Sequence, residues 1–195
     1  MRLLLALAIL ALTPTLSFAH TGIGHAAGFF HGLEHPIGGI DHVLAMIAVG
    51  VFAYVLGGRA LWLVPLSFVG MMVVGFALGV AQLDMPFVEL GIALSSIVIG
   101  AAAALGRPMH TAFAMALVGA FATFHGHAHG AEMPAASSGL SYAAGFALAT
   151  ALLHAAGIGA AFGRSQLAGK YGRLVAQTAG ALFAVGGIGI LAGWL

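Results

Sequence analysis

The chain has 195 residues and a net charge of +1, with 62% hydrophobic and only 6% charged residues. Its mean hydropathy is +1.10. Because a soluble domain carries roughly a quarter charged residues, this composition excludes a soluble protein and indicates an integral membrane protein. The chain has no cysteine, which excludes disulfide bonds and thiolate metal sites, and we expect no nucleic-acid partner.

The first 19 residues, MRLLLALAILALTPTLSFA, have the features of a cleaved secretory signal peptide. Arg2 precedes an apolar core, and the segment ends in a small-x-small pattern, S-F-A. Cleavage there would expose His20, whose α-amino group and imidazole form a chelating pair suited to Ni(II) or Cu(II). An uncleaved first transmembrane helix is the alternative, but Pro14 and the short apolar core favour a signal peptide.

Residues 20–38 form a histidine-rich segment before the first long apolar run. We expect a short helix at residues 24–35 that lies on the outer membrane surface. His31 and His35 are four residues apart and share one face of such a helix, toward the aqueous side. The apolar residues face lipid or the bundle: Phe29, Phe30 and Leu33.

Residues 39–195 contain six apolar runs close to the length of about 20 residues that spans a bilayer. They lie at about 39–57, 60–80, 86–105, 110–127, 139–162 and 172–194. Their length and the lack of period-two alternation predict an all-α transmembrane bundle of six helices. Three Gly-x3-Gly motifs indicate close helix approach within or between chains: Gly75 to Gly79, Gly126 to Gly130 and Gly189 to Gly193. The oligomeric state stays open.

Basic residues predict the orientation of the helices in the membrane. Arg59 lies in the first loop, Arg107 in the third, and three further basic residues lie in or beside the fifth: Arg164, Lys170 and Arg173. The positive-inside rule makes these loops cytoplasmic. We therefore expect a multi-pass protein of a bacterial inner membrane, with its mature N-terminus and its C-terminus in the periplasm.

Polar residues gather on the predicted outer side. All five acidic residues and eight of the ten histidines lie there. Imidazoles combined with carboxylates suit Ni, Co, Zn or Cu(II), so the sequence predicts a site for a transition-metal ion. His125 and His129 share one helix face, whereas His127 points away from them. The candidate ligands are His35, Asp41, His42, His125, His129 and Glu132, with Glu89 nearby, His154 as a deeper step and His20 at the terminus.

Less specific interpretations remain open for several of these residues. Polar side chains at helix ends are often simply solvated at the membrane interface. Asp41 can act as a helix-start residue whose carboxylate meets free backbone N–H groups. His154 can be a neutral histidine that is hydrogen-bonded to a neighbouring helix, although an ionisable residue inside a span is a functional candidate by default.

Two motifs resemble the signature of the HupE/UreJ family of membrane permeases. They are HPIGGIDH at residues 35–42 and FHGHAHGAE at residues 124–132. The resemblance covers essentially the whole chain and implies transport of nickel, sometimes cobalt, as substrate, with no tightly bound cofactor. The family pattern maps onto His35, Asp41 and His42 in the first motif and onto His125, His129 and Glu132 in the second.

Other functions remain as alternatives to a permease. The chain has no G-x-x-x-x-G-K-[ST] loop, so we expect no ATP hydrolysis by this chain. A metal-binding sensor or accessory subunit without conduction fits the same residues. A metal-dependent intramembrane hydrolase is a further alternative. A serine–histidine pair from Ser141 and His154 is excluded, because 13 residues on one helix separate them by about 20 Å.

Overall fold

A computed structural model describes residues 24–134 and 137–194, and it is helical throughout with no strand in these ranges. The helices in chain order are α1 (Gly24–Gly38), α2 (Ile40–Leu56), α3 (Ala60–Val80), α4 (Val88–Leu105), α5 (Thr111–Ala131), α6 (Gly139–Ala168) and α7 (Gly172–Leu191). A 3-10 turn, Gly169–Tyr171, joins the last two. The predicted signal peptide and His20 lie outside the described residues.

Each of the six predicted apolar runs coincides in large part with one of the helices α2 to α7, but two helices continue past the predicted ends of their runs. Helix α5 continues to Ala131, past the predicted end at residue 127, and α6 continues to Ala168, past residue 162. The apolar run was predicted to end at about residue 127, although His125 and His129 were expected to share one helix face. Because main-chain hydrogen bonding continues through that stretch, the histidines are carried on a regular helix.

The helices support a multi-pass membrane protein. Four of the described helices are long and apolar enough to cross a membrane, namely α3, α4, α6 and α7. A fifth span results if α1 and α2, which meet at 83°, form one broken span. The six-span count stays a prediction, because α2 has 17 residues, about 26 Å of helix, and α5 ends in a polar, histidine-rich turn.

Helix α2 lies at the centre of the bundle. Eight of its residues are buried: Ala45, Met46, Ala48, Val49, Gly50, Val51, Phe52 and Ala53. It packs against α6, α4 and α7, and also against α3. A helix that is apolar on all sides belongs in the interior of a bundle. Because the rest of α2 is buried, the position of its polar first turn is fixed.

Helices α3 and α5 form the most extensive helix pair among the described residues. Two of the predicted Gly-x3-Gly motifs face each other across this pair. A Cβ at Gly126 would overlap the carbonyl oxygen of Met72, and a Cβ at Gly75 would overlap that of Thr123. These two motifs therefore serve packing within one chain, whereas a Cβ at Gly193, in the third motif, would meet no atom within 4 Å.

Helix α1 also packs closely against the bundle at glycine residues. A Cβ at Gly32 would overlap the carbonyl oxygen of Tyr142, and a Cβ at Gly145 would overlap that of Phe29. The helix expected at residues 24–35 is therefore present and extends to Gly38. Its position on the membrane surface stays a prediction.

Candidate metal-binding site at the helix break

The site begins at the break between α1 and α2. Gly39 has an extended backbone, with φ −104° and ψ 123°. A Cβ at this residue would lie 2.6 Å from Oδ1 of Asp41 and 3.2 Å from Nδ1 of His42. The missing side chain thus leaves room for both groups, and the 83° bend turns α1 over the N-terminal end of α2.

A cavity of about 610 Å³ opens at this break. Four acidic side chains line it: Glu34, Asp41, Glu89 and Glu132. His31, His35 and His42 also line it, so His31 and His35 both face this cavity, whereas the aqueous side predicted for them stays a prediction. A cleft with walls of one charge sign attracts ions of the opposite sign, so this cavity favours cations.

Four imidazole rings from three helices meet at the cavity, two of them in its lining and two buried behind it. The ring centroid of His42 lies 4.9 Å from that of His125 and 5.0 Å from that of His129. His35 lies 4.9 Å from His129 and 6.4 Å from His42. His129 also stacks on Phe146 at 4.9 Å, which restricts the rotation of its ring. The structure therefore brings together four of the histidines that the sequence singled out.

Asp41 and His42 are joined to each other. Oδ1 of Asp41 accepts a hydrogen bond from the backbone N–H of His42 at 2.8 Å, and it lies 3.0 Å from Nδ1 of the same residue. The first contact is the helix-start role considered for Asp41. The second is the carboxylate–imidazole pairing that orients metal-binding histidines and fixes their tautomer. Nε2 of His42 is buried without a hydrogen-bond partner in the described structure.

Ser95 is a polar contact of the cluster that the sequence reasoning missed. Its Oγ lies 2.9 Å from Nε2 of His125, and both residues are fully buried. The adjacent serines 95 and 96 interrupt the apolar run of α4, which was the only available signal. Glu34 and Tyr142, which line the cavity, were also absent from the predicted ligand set.

His35 and Glu132 are in polar contact at the mouth of the cavity. Nε2 of His35 lies 3.1 Å from Oε2 of Glu132, and their side chains are 35% and 55% exposed. Helix α1 supplies the histidine and the C-terminal end of α5 supplies the glutamate. The pair therefore links the two sequence motifs directly.

His154 lies one aromatic layer deeper than the cluster. Its ring centroid is 5.1 Å from that of Phe68, which is 5.6 Å from that of His125. His154 is 1% exposed, and neither of its ring nitrogens has a hydrogen-bond partner in the described structure. The interpretation of His154 as a residue bonded to a neighbouring helix thus finds no support in the described contacts.

His127 is separate from the cluster, as predicted. Its Nε2 donates a hydrogen bond to the carbonyl oxygen of Leu83 at 2.8 Å. This contact ties α5 to the loop between α3 and α4. His127 therefore has a structural role and provides a control for substitutions of its neighbours.

The cluster is not a finished coordination sphere. Within residues 24–134 and 137–194, no three His, Asp or Glu side chains are placed as they stand to hold one metal ion. The rings meet edge to face, Asp41 is engaged with His42, and His125 is engaged with Ser95. Joint ligation by the predicted residues stays a prediction that requires these side chains to rotate.

We expect Glu132→Gln to raise the metal concentration for half-maximal uptake by about 10-fold. Loss of a residue that supports a metal ligand typically weakens affinity by about 10-fold to 100-fold, and this expectation is the lower end of that range. Thermal stability in detergent should be unchanged, because exposed ion pairs contribute little. Uptake of radiolabelled metal at graded concentrations measures the effect. Asp84→Asn is the matched control, since Asp84 is exposed and does not line the cavity. Equal shifts in both variants would contradict a local role for Glu132.

Comparison with known proteins agrees with the resemblance of the two motifs. The family model described as HupE / UreJ protein matches residues 7–190. The chain is 46% identical over 187 residues to Protein HupE of Rhizobium leguminosarum bv. viciae, covering 96% of this chain and 95% of that protein. No solved structure matches the chain.

Proposed function

The chain belongs to the HupE/UreJ family, and we propose that it is a permease that carries nickel or cobalt from the periplasm into the cytoplasm. The observation that carries the proposal is the cluster of four imidazoles at an acidic cavity. Imidazole and carboxylate ligands suit divalent nickel and cobalt. The ion is the substrate, and the proposal requires no resident cofactor.

We further propose that α2 to α7 all cross the inner membrane. The distribution of basic residues supports this topology, because the first, third and fifth loops carry Arg59, Arg107 and Lys170. The cavity then opens to the periplasm, from which the metal enters. A cleaved signal peptide would agree with the same orientation.

The buried imidazoles provide ligands that replace part of the hydration shell of the ion. Buried polar atoms normally have hydrogen-bond partners, yet Nε2 of His42 and both ring nitrogens of His129 have none in the described structure. The acidic cavity walls offset part of the charge of the ion as it leaves water. Because a protonated imidazole cannot bind a cation, binding should weaken in acid.

The route inward passes Phe68 and reaches His154. The ring of Phe68 separates His125 from His154, so two binding steps are divided by one apolar side chain. An inward membrane potential is a sufficient driving force, since a divalent cation gains about 4.6 kcal/mol per 100 mV. That free energy corresponds to roughly three decades of accumulation.

Uptake of radiolabelled nickel and cobalt by cells that express this chain alone tests the proposal. We expect each metal to enter and to compete with the other, and zinc to compete more weakly. Binding without uptake would instead identify a sensor or accessory subunit. Preferential transport of zinc would overturn the assignment of the substrate.

A further inference from the structure

We propose that Ser95 is a positioning residue that fixes the neutral imidazole of His125 in the form protonated at Nε2. The lone pair of Nδ1 is then available to the metal ion. The inference rests on the proposed function for its ligand, whereas the hydrogen-bond geometry is independent of it. Ser95 lies on α4 and His125 on α5, and both side chains are 0% exposed.

The direction of each hydrogen bond follows from the single proton of the hydroxyl group. Oγ of Ser95 lies 2.6 Å from the carbonyl oxygen of Ile92, so the serine donates its proton there. Two oxygens this close with no proton between them would repel each other. Oγ must therefore accept from the imidazole, and Nε2–H of His125 is the donor at 2.9 Å.

This assignment leaves Nδ1 of His125 unprotonated. Nδ1 is buried and has no hydrogen-bond partner in the described structure. His42 has the opposite tautomer, because its Nδ1 is paired with Oδ1 of Asp41 and its Nε2 has no hydrogen-bond partner in the described structure. The two rings meet at 4.9 Å and 86°. Each ring is thus fixed by its own acceptor, and each offers a different nitrogen.

The same geometry excludes a nucleophilic role for this serine–histidine pair. A general base must accept the proton of the nucleophile, whereas the hydroxyl proton of Ser95 points to Ile92. The serine is also inaccessible to solvent. The contact orients a ligand, which is the usual function of groups that bond the second nitrogen of a metal-binding histidine.

Nitrogen-15 NMR of histidine-labelled, metal-free protein in detergent tests the tautomer directly. Loss of signals in His125→Gln assigns the two ring nitrogens. We expect Nε2 of His125 to resonate as a protonated nitrogen and Nδ1 as an unprotonated one. The reverse pattern would overturn the inference even if the protein transports nickel. A wild type without uptake would defeat the proposed function and leave this measurement interpretable.

Ser95→Ala tests the consequence for binding. We expect the His125 signals to report a mixture of tautomers, and the concentration for half-maximal uptake to rise about 10-fold to 100-fold with a smaller change in maximal rate. Ser67→Ala is the matched control, because the Ser67 hydroxyl also makes a hydrogen bond to a neighbouring helix, in which it donates to the carbonyl oxygen of Met115 at 2.9 Å. Wild-type uptake and a single tautomer in Ser95→Ala would overturn the inference. If Ser95→Ala does not fold, the wild-type spectrum decides.

Discussion

Replacing His42 by alanine is expected to abolish uptake of nickel or cobalt at trace concentrations while the protein remains folded in the membrane. His42 contacts three of the other site residues, since its ring meets those of His35, His125 and His129. Its Nε2 is buried without a hydrogen-bond partner in the described structure. The loss of uptake should exceed about 100-fold. This is the upper end of the loss caused by removing a residue that only supports a metal ligand, whereas here a proposed ligand itself is removed.

Asp41→Ala should produce a similar loss, since Asp41 fixes the ring of His42 through Nδ1. Asp41→Asn separates the two roles of the carboxylate. The amide oxygen still accepts a hydrogen bond but supplies no negative charge, so partial uptake would indicate that orientation matters more than charge. Radiolabelled uptake, with protein amount measured in the membrane fraction, reads out all three variants.

His127→Ala is the control for this series. His127 lies on the same turn of α5 as two cluster histidines but bonds to Leu83. We expect its uptake to stay close to that of the wild type. Full uptake by His42→Ala and Asp41→Ala would remove the proposed site.

Gly126→Ala is expected to lower both the thermal stability and the uptake of the protein. The added methyl group would overlap the carbonyl oxygen of Met72 and lie 2.8 Å from the backbone nitrogen of Phe76. Helices α3 and α5 must separate to admit it, and such overpacking costs about 1–3 kcal/mol. His125 is the preceding residue on α5, so the shift also displaces a cluster ring.

Gly70→Ala provides the matched control on α3. A Cβ at Gly70 meets no atom within 4 Å, and alanine is favoured over glycine in a helix by up to about 1 kcal/mol. Melting of the purified protein in detergent should therefore show an unchanged or slightly raised midpoint for this variant and a lowered one for Gly126→Ala. Equal midpoints would show that the α3–α5 contact tolerates a methyl group.

The local features of the chain were readable from its sequence. Long apolar runs separated by glycine and proline fix helices without reference to tertiary contacts, because main-chain bonds in a helix are made within the segment. The helix ends were less predictable. The predicted apolar run ends at about residue 127, where hydropathy falls, whereas α5 packs against α3 and continues to Ala131.

The candidate site residues could also be singled out in the sequence, because histidines and carboxylates are conspicuous in a chain with 6% charged residues. Their partners were not. Ser95 is 30 residues from His125 along the chain, and no local pattern connects a serine on one helix to an imidazole on another. The same holds for Phe68, which separates His125 from His154.

The sequence by itself determined a helical membrane protein, its family and the residue types of the candidate metal site. Only the tertiary structure decided that two Gly-x3-Gly motifs face each other within one chain, and that Asp41 and Ser95 each bond a different nitrogen of a different histidine. The physical reason is the distance along the sequence between the residues that interact. Helix formation depends on neighbours within four residues, whereas tautomers and ring positions depend on contacts between helices that are distant in sequence.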